Sequence, residues 1–240
     1  MRRILAAMVT GALLVAAGCS GRYDKRMDLT LEALKYTKRL DDNLQPPASD
    51  GPLKELAIYV RPPKTLVEAK EFGLGAVQAG LFDVERTFYE GSKTFLHVLA
   101  RVKTPKKAAA KGAPPEAAPA ARGNFNTDVL GVLKGVFGED DSLSVEKFKD
   151  DPHRSNSYKR AIFATTANGK PAEVQVYLFK NEPYDVALIF VSDPAEKAAL
   201  ASKINLCLES FAVGNKARSK FSGSASEEEA ADGASPGVTF

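Results

Sequence analysis

The sequence has no tryptophan, only two histidines and only two cysteines in 240 residues. So few cysteines and histidines all but exclude a disulfide-dense scaffold and a Cys/His structural zinc site. Neither sign of charge dominates. The 33 lysines and arginines against 30 aspartates and glutamates give +3, too mild a surplus to imply nucleic-acid binding by itself. The apolar run from Ile4 to Ala17 is shorter than the roughly 20 residues needed to span a bilayer core. Compact catalytic signatures are missing as well: no nucleophile sits in a strand-to-helix elbow beside a base at recognisable spacing. Gly73, Gly75 and Gly80 lack the strand-then-helix setting of a phosphate loop. What is present is ordinary for a folded domain: 44% hydrophobic, 26% charged and 8% aromatic residues.

The first twenty residues carry an address. Met1-Arg2-Arg3 is a basic start, Ile4–Ala17 a short apolar stretch, and the run ends in small residues, which is the pattern of a secretory signal peptide. The ending Ala16-Ala17-Gly18-Cys19 resembles the lipobox of bacterial lipoproteins, with Ala16 where leucine is commonest and Leu14-Val15 just upstream. The resemblance implies removal of residues 1–18 and attachment of a diacylglycerol to the Cys19 thiol, a role for which sulfur nucleophilicity suits cysteine. The alternative is ordinary cleavage after Ala17, which leaves a stray thiol unexplained. Ser20 in place of an aspartate favours an outer over an inner membrane, where the organism has both. Losing Arg2 and Arg3 lowers the net charge from +3 to +1, and Cys207 is then the one remaining unmodified cysteine, so no internal disulfide forms.

Residues 19–52 are expected to form the lipid-anchored N-terminus, with a helix from Tyr23 to Leu44. Leu29, Ala33, Tyr36, Leu40 and Leu44 recur at steps of three and four, and Pro46-Pro47 ends the pattern. The helix either forms a stalk or packs on its own domain. Its mixed charges are unlike the basic face of a membrane-surface helix and favour packing. A domain over residues 53–213 follows. Short β-prone runs at Leu56–Val60 and Gly80–Phe88 precede a Gly91 turn and a strand over 94–103. A brief helical turn is expected over 68–75. Residues 104–123 are almost all alanine, proline, lysine and glycine and read as a flexible insertion. Asn126 or Thr127 is the expected cap of a helix ending near Gly138. Runs 158–166, 172–179 and 184–191 form a three-stranded meander, and Asp193-Pro194 opens a last helix. Its apolar face carries Leu200, Ile204, Cys207, Leu208 and Phe211. Residues 214–240 are expected to be a disordered tail, with Glu227–Glu229 solubilising rather than calcium-binding.

Few side chains invite chemistry. His97 lies within a strand and reads as structural; His153 lies in Lys149-Asp150-Asp151-Pro152-His153-Arg154, which reads as a solvated turn with a weak metal site as its functional alternative. Cys207 reads as a small core hydrophobe. No catalytic, cofactor-binding or metal-binding residue is assigned; Cys19 is the lipidation site.

The ending from Tyr184 to Val213, a last strand and then an amphipathic helix closing on Ser210-Phe211, resembles PsbP-like proteins, the extrinsic photosystem II subunit and its bacterial lipoprotein relatives. The run Leu56–Pro63 matches the early strand ending at proline, without the tryptophan that often follows it. The resemblance implies an α+β fold, an antiparallel sheet flanked by helices as an α-β-α sandwich, over about residues 53–213. It carries over no metal or catalytic residue. The expectation is therefore a non-enzymatic, membrane-anchored exported lipoprotein without cofactor or nucleic acid, binding a protein or envelope partner. The alternative is a periplasmic carrier of a small ligand or metal using His97 or His153.

Overall fold

The computed structural model describes residues 2–71, 73–75, 77–78, 80–103, 122–138, 143–167 and 169–223, with residues 2–22 described by their backbone alone. The expected insertion therefore lies outside the described residues from 104 to 121, as do the tail from 224 to 240 and its glutamates. The chain divides into two units, residues 1–42 and 43–240. The first is a single helix, α1 (Arg2–Asn43), on which Tyr23, Leu29 and Leu34 are exposed. Among the described residues no helix is long and apolar enough to cross a membrane.

Among the described residues the second unit has nine strands. They are β1 (Ile58–Tyr59), β2 (Val67–Glu68), β3 (Val84–Glu90), β4 (Thr94–Val102), β5 (Lys149–His153), β6 (Asn156–Ala167), β7 (Lys170–Asn181), β8 (Tyr184–Ser192) and β9 (Ala212–Val213). Seven form one antiparallel sheet in the order β2-β3-β4-β8-β7-β6-β5. The helices are α2 (Pro52–Glu55), α3 (Phe125–Phe137), α4 (Lys197–Ser210) and α5 (Gly214–Ser222).

Two faces follow from the register. On one, Leu99, Phe163, Val174, Val176 and Ile189 pack with Val129, Leu130 and Leu133 of α3. On the other, Phe179 and Tyr158 meet Phe211 at the end of α4, with ring centres 5.0 and 6.2 Å apart. The Tyr158 hydroxyl donates to the Leu208 carbonyl at 2.8 Å. Because β8 is central and covered on both sides, its run from Val186 to Val191 is apolar throughout rather than alternating. Each such buried side chain contributes about 1.5–3 kcal/mol of transfer free energy. The α+β fold with helices on both sheet faces is thus as the sequence indicates.

Several local expectations change. The Leu56–Val60 run keeps only two residues of strand, and they pair with β9 rather than joining the large sheet: Ile58 faces Val213 and Tyr59 faces Ala212. Val67 and Glu68 are a short strand against β3, so the expected helical turn over 68–75 begins on extended backbone. The cap of α3 is Asn124, whose side chain accepts from the Asn126 amide at 2.9 Å. The tail is ordered further than composition suggests, because α5 buries Ala217 and stacks Phe221 edge-on against Tyr59 at 5.2 Å. The Gly214 amide also donates to the Ala57 carbonyl at 2.8 Å. Residues 214–222 are therefore part of the domain.

Candidate functional site

One end of the sheet opens into a cleft of about 950 Å³ between α2, the ends of β4 and β7, and the approach to α3. Arg101 forms its floor. Its position on β4 turns the side chain towards α3, where Nε and Nη2 donate to the Leu81 carbonyl at 3.2 and 2.9 Å and Nη1 to the Gly123 carbonyl at 2.9 Å. Nη2 also meets Asp128 Oδ2 at 2.6 Å. Phe82 and Phe125 stand 5.7 and 5.6 Å from the guanidinium carbon, so the buried cation is both paired and stacked. Asp128 lies in the first turn of α3, where the helix dipole also favours a carboxylate.

Around this floor several charges are paired. Asp83 accepts from the Val102 amide at 2.8 Å and from both terminal nitrogens of Arg122 at 3.1 and 2.8 Å. Asp185, mostly buried, meets Lys103 at 3.5 Å and lies directly across the strands from Lys180. Lys103 keeps half its side chain in solvent. Among the described lining residues there are amines, guanidinium groups, carboxylates and carboxamides, with no hydroxyl, thiol or imidazole side chain. Such a set recognises polar or charged groups.

The two histidines lie elsewhere, on opposite faces of the sheet. His97 faces α3 and Thr87. Thr87 Oγ1 accepts from the Gly73 amide at 2.8 Å and shares a hydrogen bond with His97 Nδ1 at 2.9 Å. The ring stacks on Phe95 with centres 5.7 Å apart, and burial pushes its pKa down to about 3. A cavity of about 150 Å³ adjoins it, walled by Leu74, Val136, Phe137 and Val191.

His153 is not in a solvated turn. The expectation fails because Arg154 adopts a left-handed conformation (φ 51°) that closes a two-residue turn, placing residues 149–153 beside β6 as an edge strand. His153 then points inward, edge-on to Tyr158 and Tyr177 at 5.8 and 6.0 Å, with Nε2 3.2 Å from Asp151 Oδ2. Arg160 approaches the same oxygen at 3.6 Å and lies over the Tyr177 ring at 5.4 Å. A polar chain continues from the Tyr177 hydroxyl to Gln175, then Glu173, then Lys197, with contacts of 2.8, 2.8 and 2.7 Å. Burial raises the Tyr177 phenol to about 12. This network was not expected from sequence; the alternation of Glu173, Gln175 and Tyr177 along β7 was its one visible trace.

Cys207 is wholly buried, and burial pushes its thiol up to about 12. The Cys19 side chain lies outside the described residues. Among the described residues no three histidine, cysteine, aspartate or glutamate side chains group so as to hold a metal.

No family model matches the chain, and no curated protein does. Solved structures similar to it include two of different length. A crystal structure of a protein from Bacteroides thetaiotaomicron VPI-5482 matches at 8% identity and a TM-score of 0.40, covering 66% of this chain and 45% of that one. The chain thus spans under half the length of that protein. The solution structure of cyanobacterial PsbP (CyanoP) from Synechocystis sp. PCC 6803 matches at 13% identity and a TM-score of 0.43, covering 72% of this chain and 93% of that one.

Proposed function

We propose that the chain is an exported lipoprotein, held to a cell-envelope membrane through lipid on Cys19, whose domain binds a protein or envelope partner and catalyses no reaction. The observation that carries the binding role is the cleft above Arg101. Its frame of carbonyls, guanidinium groups and carboxylates is already assembled, with Lys103 and Lys180 at the rim. A preformed polar cleft orders little on association, which leaves more of the contact energy as affinity. The anchoring role rests on Ala16-Ala17-Gly18-Cys19. Two or three acyl chains hold firmly, since each buried methylene contributes about 0.8 kcal/mol. Ser20 favours the outer membrane.

Crosslinking and pull-down from native membranes test the binding role. A stoichiometric partner that disappears in the Lys103→Glu/Lys180→Glu double variant is expected, and failure to recover any partner from active cells counts against the reading. Substituting Cys19→Ala should move the protein into the soluble fraction; a lipid label that persists in that variant would sink the anchoring.

A second reading, a small-ligand carrier, is favoured by the small cavity beside His97, lined by apolar side chains together with Thr166, whose roughly 150 Å³ suits a benzene-sized molecule. Calorimetry with metals and envelope metabolites separates the two, repeated on His97→Ala and His153→Ala variants. Heat of binding that vanishes in either variant supports the carrier.

A further inference from the structure

The sheet ends unevenly at its β5 side. Strand β6 is twelve residues long, but β5 pairs only as far as Lys149 opposite Arg160. The chain before Lys149 then leaves the edge, because Phe148 turns onto the α3 face and packs against Phe163 at 6.3 Å. Beyond Arg160, therefore, Ile162 to Ala167 form an outer edge to which no described strand is paired.

The register fixes which backbone groups this edge presents. Ala167 and Lys170 flank a two-residue connection and form a hydrogen-bonded pair, so Ala167, Thr165 and Phe163 turn their N–H and C=O towards β7. The alternate residues Ile162, Ala164 and Thr166 turn theirs outward, in phase with Tyr158 and Arg160, which serve β5. All three are exposed, and among the described residues none of them has a backbone partner on that side. Three donors and three acceptors thus lie along about 20 Å of edge, at roughly 3.3 Å per residue. The segment holds no charge and no proline, the two devices that normally blunt a free edge.

We infer that the open edge of β6 from Ile162 to Ala167 binds an extended peptide segment of a partner protein, apolar in its centre and acidic at its ends, as an added strand. The backbone groups call for another extended chain. Ile162, 44% exposed beside the small Ala164, offers an apolar side chain a surface on the α4 side. Lys149 and Lys170 stand exposed at the two ends of the slot, and among the described residues neither ammonium meets a carboxylate, so the complementary ends are acidic. A second copy fits poorly: antiparallel pairing about Ala164 drives its turn after Ala167 onto Lys149 and brings its Lys170 towards the same lysine. This surface is separate from the Arg101 cleft and does not depend on it.

The test uses the full chain and the acetylated, amidated heptapeptide Glu-Val-Thr-Val-Thr-Val-Asp, with amide hydrogen exchange read by NMR. Exchange at Ile162, Ala164 and Thr166 should slow at least tenfold at saturating peptide, while Phe163 and Thr165, already bonded to β7, stay unchanged. Absence of this alternation up to millimolar peptide overturns the proposal. So does protection of the same amides by raising protein concentration alone, which would assign the edge to a second copy. Ala164→Pro removes one outward donor and should weaken binding at least tenfold. In case that variant unfolds, N-methylating alternate amides of the peptide gives the same reading, and undiminished binding of the methylated peptide overturns the proposal. A Lys149→Glu/Lys170→Glu double variant should bind the peptide tenfold more weakly and favour a lysine-ended version; equal binding of both peptides by both proteins overturns the acidic assignment. Lys180→Glu, in the cleft, should leave the peptide affinity unchanged, which keeps this test distinct from that of the cleft.

Discussion

Thr87 Oγ1 bridges two partners: it accepts the Gly73 amide at 2.8 Å and lies 2.9 Å from Nδ1 of His97, a ring that burial keeps neutral. Stability should consequently depend on acid. The unfolded chain protonates this imidazole near pH 6.5, whereas the folded one does so only near 3. Between those values the unfolded state binds more protons, so stability falls as pH drops. By about pH 4.5 the loss is about 2–3 kcal/mol, measurable by urea denaturation. His97→Gln should flatten that slope. Thr87→Val strands the Gly73 amide and the ring nitrogen and should cost about 1–3 kcal/mol at neutral pH.

Arg101 joins three segments through one guanidinium. Arg101→Lys retains the charge but cannot reach Leu81, Gly123 and Asp128 together. A loss of about 2–4 kcal/mol in chemical denaturation is expected, the range set by leaving a largely buried carboxylate poorly compensated. Arg122→Lys, at a more exposed pair with Asp83, should cost under about 1 kcal/mol.

Cys207 should be chemically silent in the folded protein, since burial holds the thiol protonated and out of reach. Iodoacetamide labelling of the Cys19→Ala variant should proceed only as fast as the domain unfolds. Cys207→Ser places a hydroxyl in the same site and should cost about 1–3 kcal/mol.

Asn156 and Tyr158 share an acceptor. The Asn156 carboxamide donates to the carbonyls of Leu208 and Phe211, both at 2.9 Å, and the Tyr158 hydroxyl donates to Leu208 at 2.8 Å. Together they satisfy the end of α4, where carbonyls lack helical partners. Tyr158→Phe should cost about 0.5–1.5 kcal/mol, because Asn156 still serves Leu208. Combined with Asn156→Ala, the loss should exceed the sum of the single variants in a double-mutant cycle.

The meander and the last helix were readable because their signals are local. Tyr184–Val191 is a continuous β-prone run, and Asp193-Pro194 announces a helix start: the Asp193 carboxylate accepts from the Ala195 amide at 3.0 Å. On α4, Leu200, Ile204, Cys207 and Leu208 are buried as their spacing indicates, but so are Leu206 and Ser210, because the end of the helix is enclosed on more than one side. What escaped had its partners far along the chain. Lys149–His153 is made of turn-forming residues and becomes a strand only because β6 lies beside it. α5 is polar by sequence and is held through Ala217 and Phe221. The Arg101 cleft left no motif, since most of what Arg101 grips is main-chain carbonyl, which any residue supplies.

The pairing of Ile58–Tyr59 with Ala212–Val213 carries a consequence for biogenesis. A chain made from its N-terminus exposes Ile58 long before Val213 exists, so this clasp can form only after the meander between its halves has been made. Until then Ala57, Ile58 and Tyr59 have no cover from the C-terminal strand, and a chain broken off ahead of residue 212 never acquires it. A copy truncated there should carry an open apolar seam at residues 57–59, the kind of exposed surface on which chaperones and proteases act.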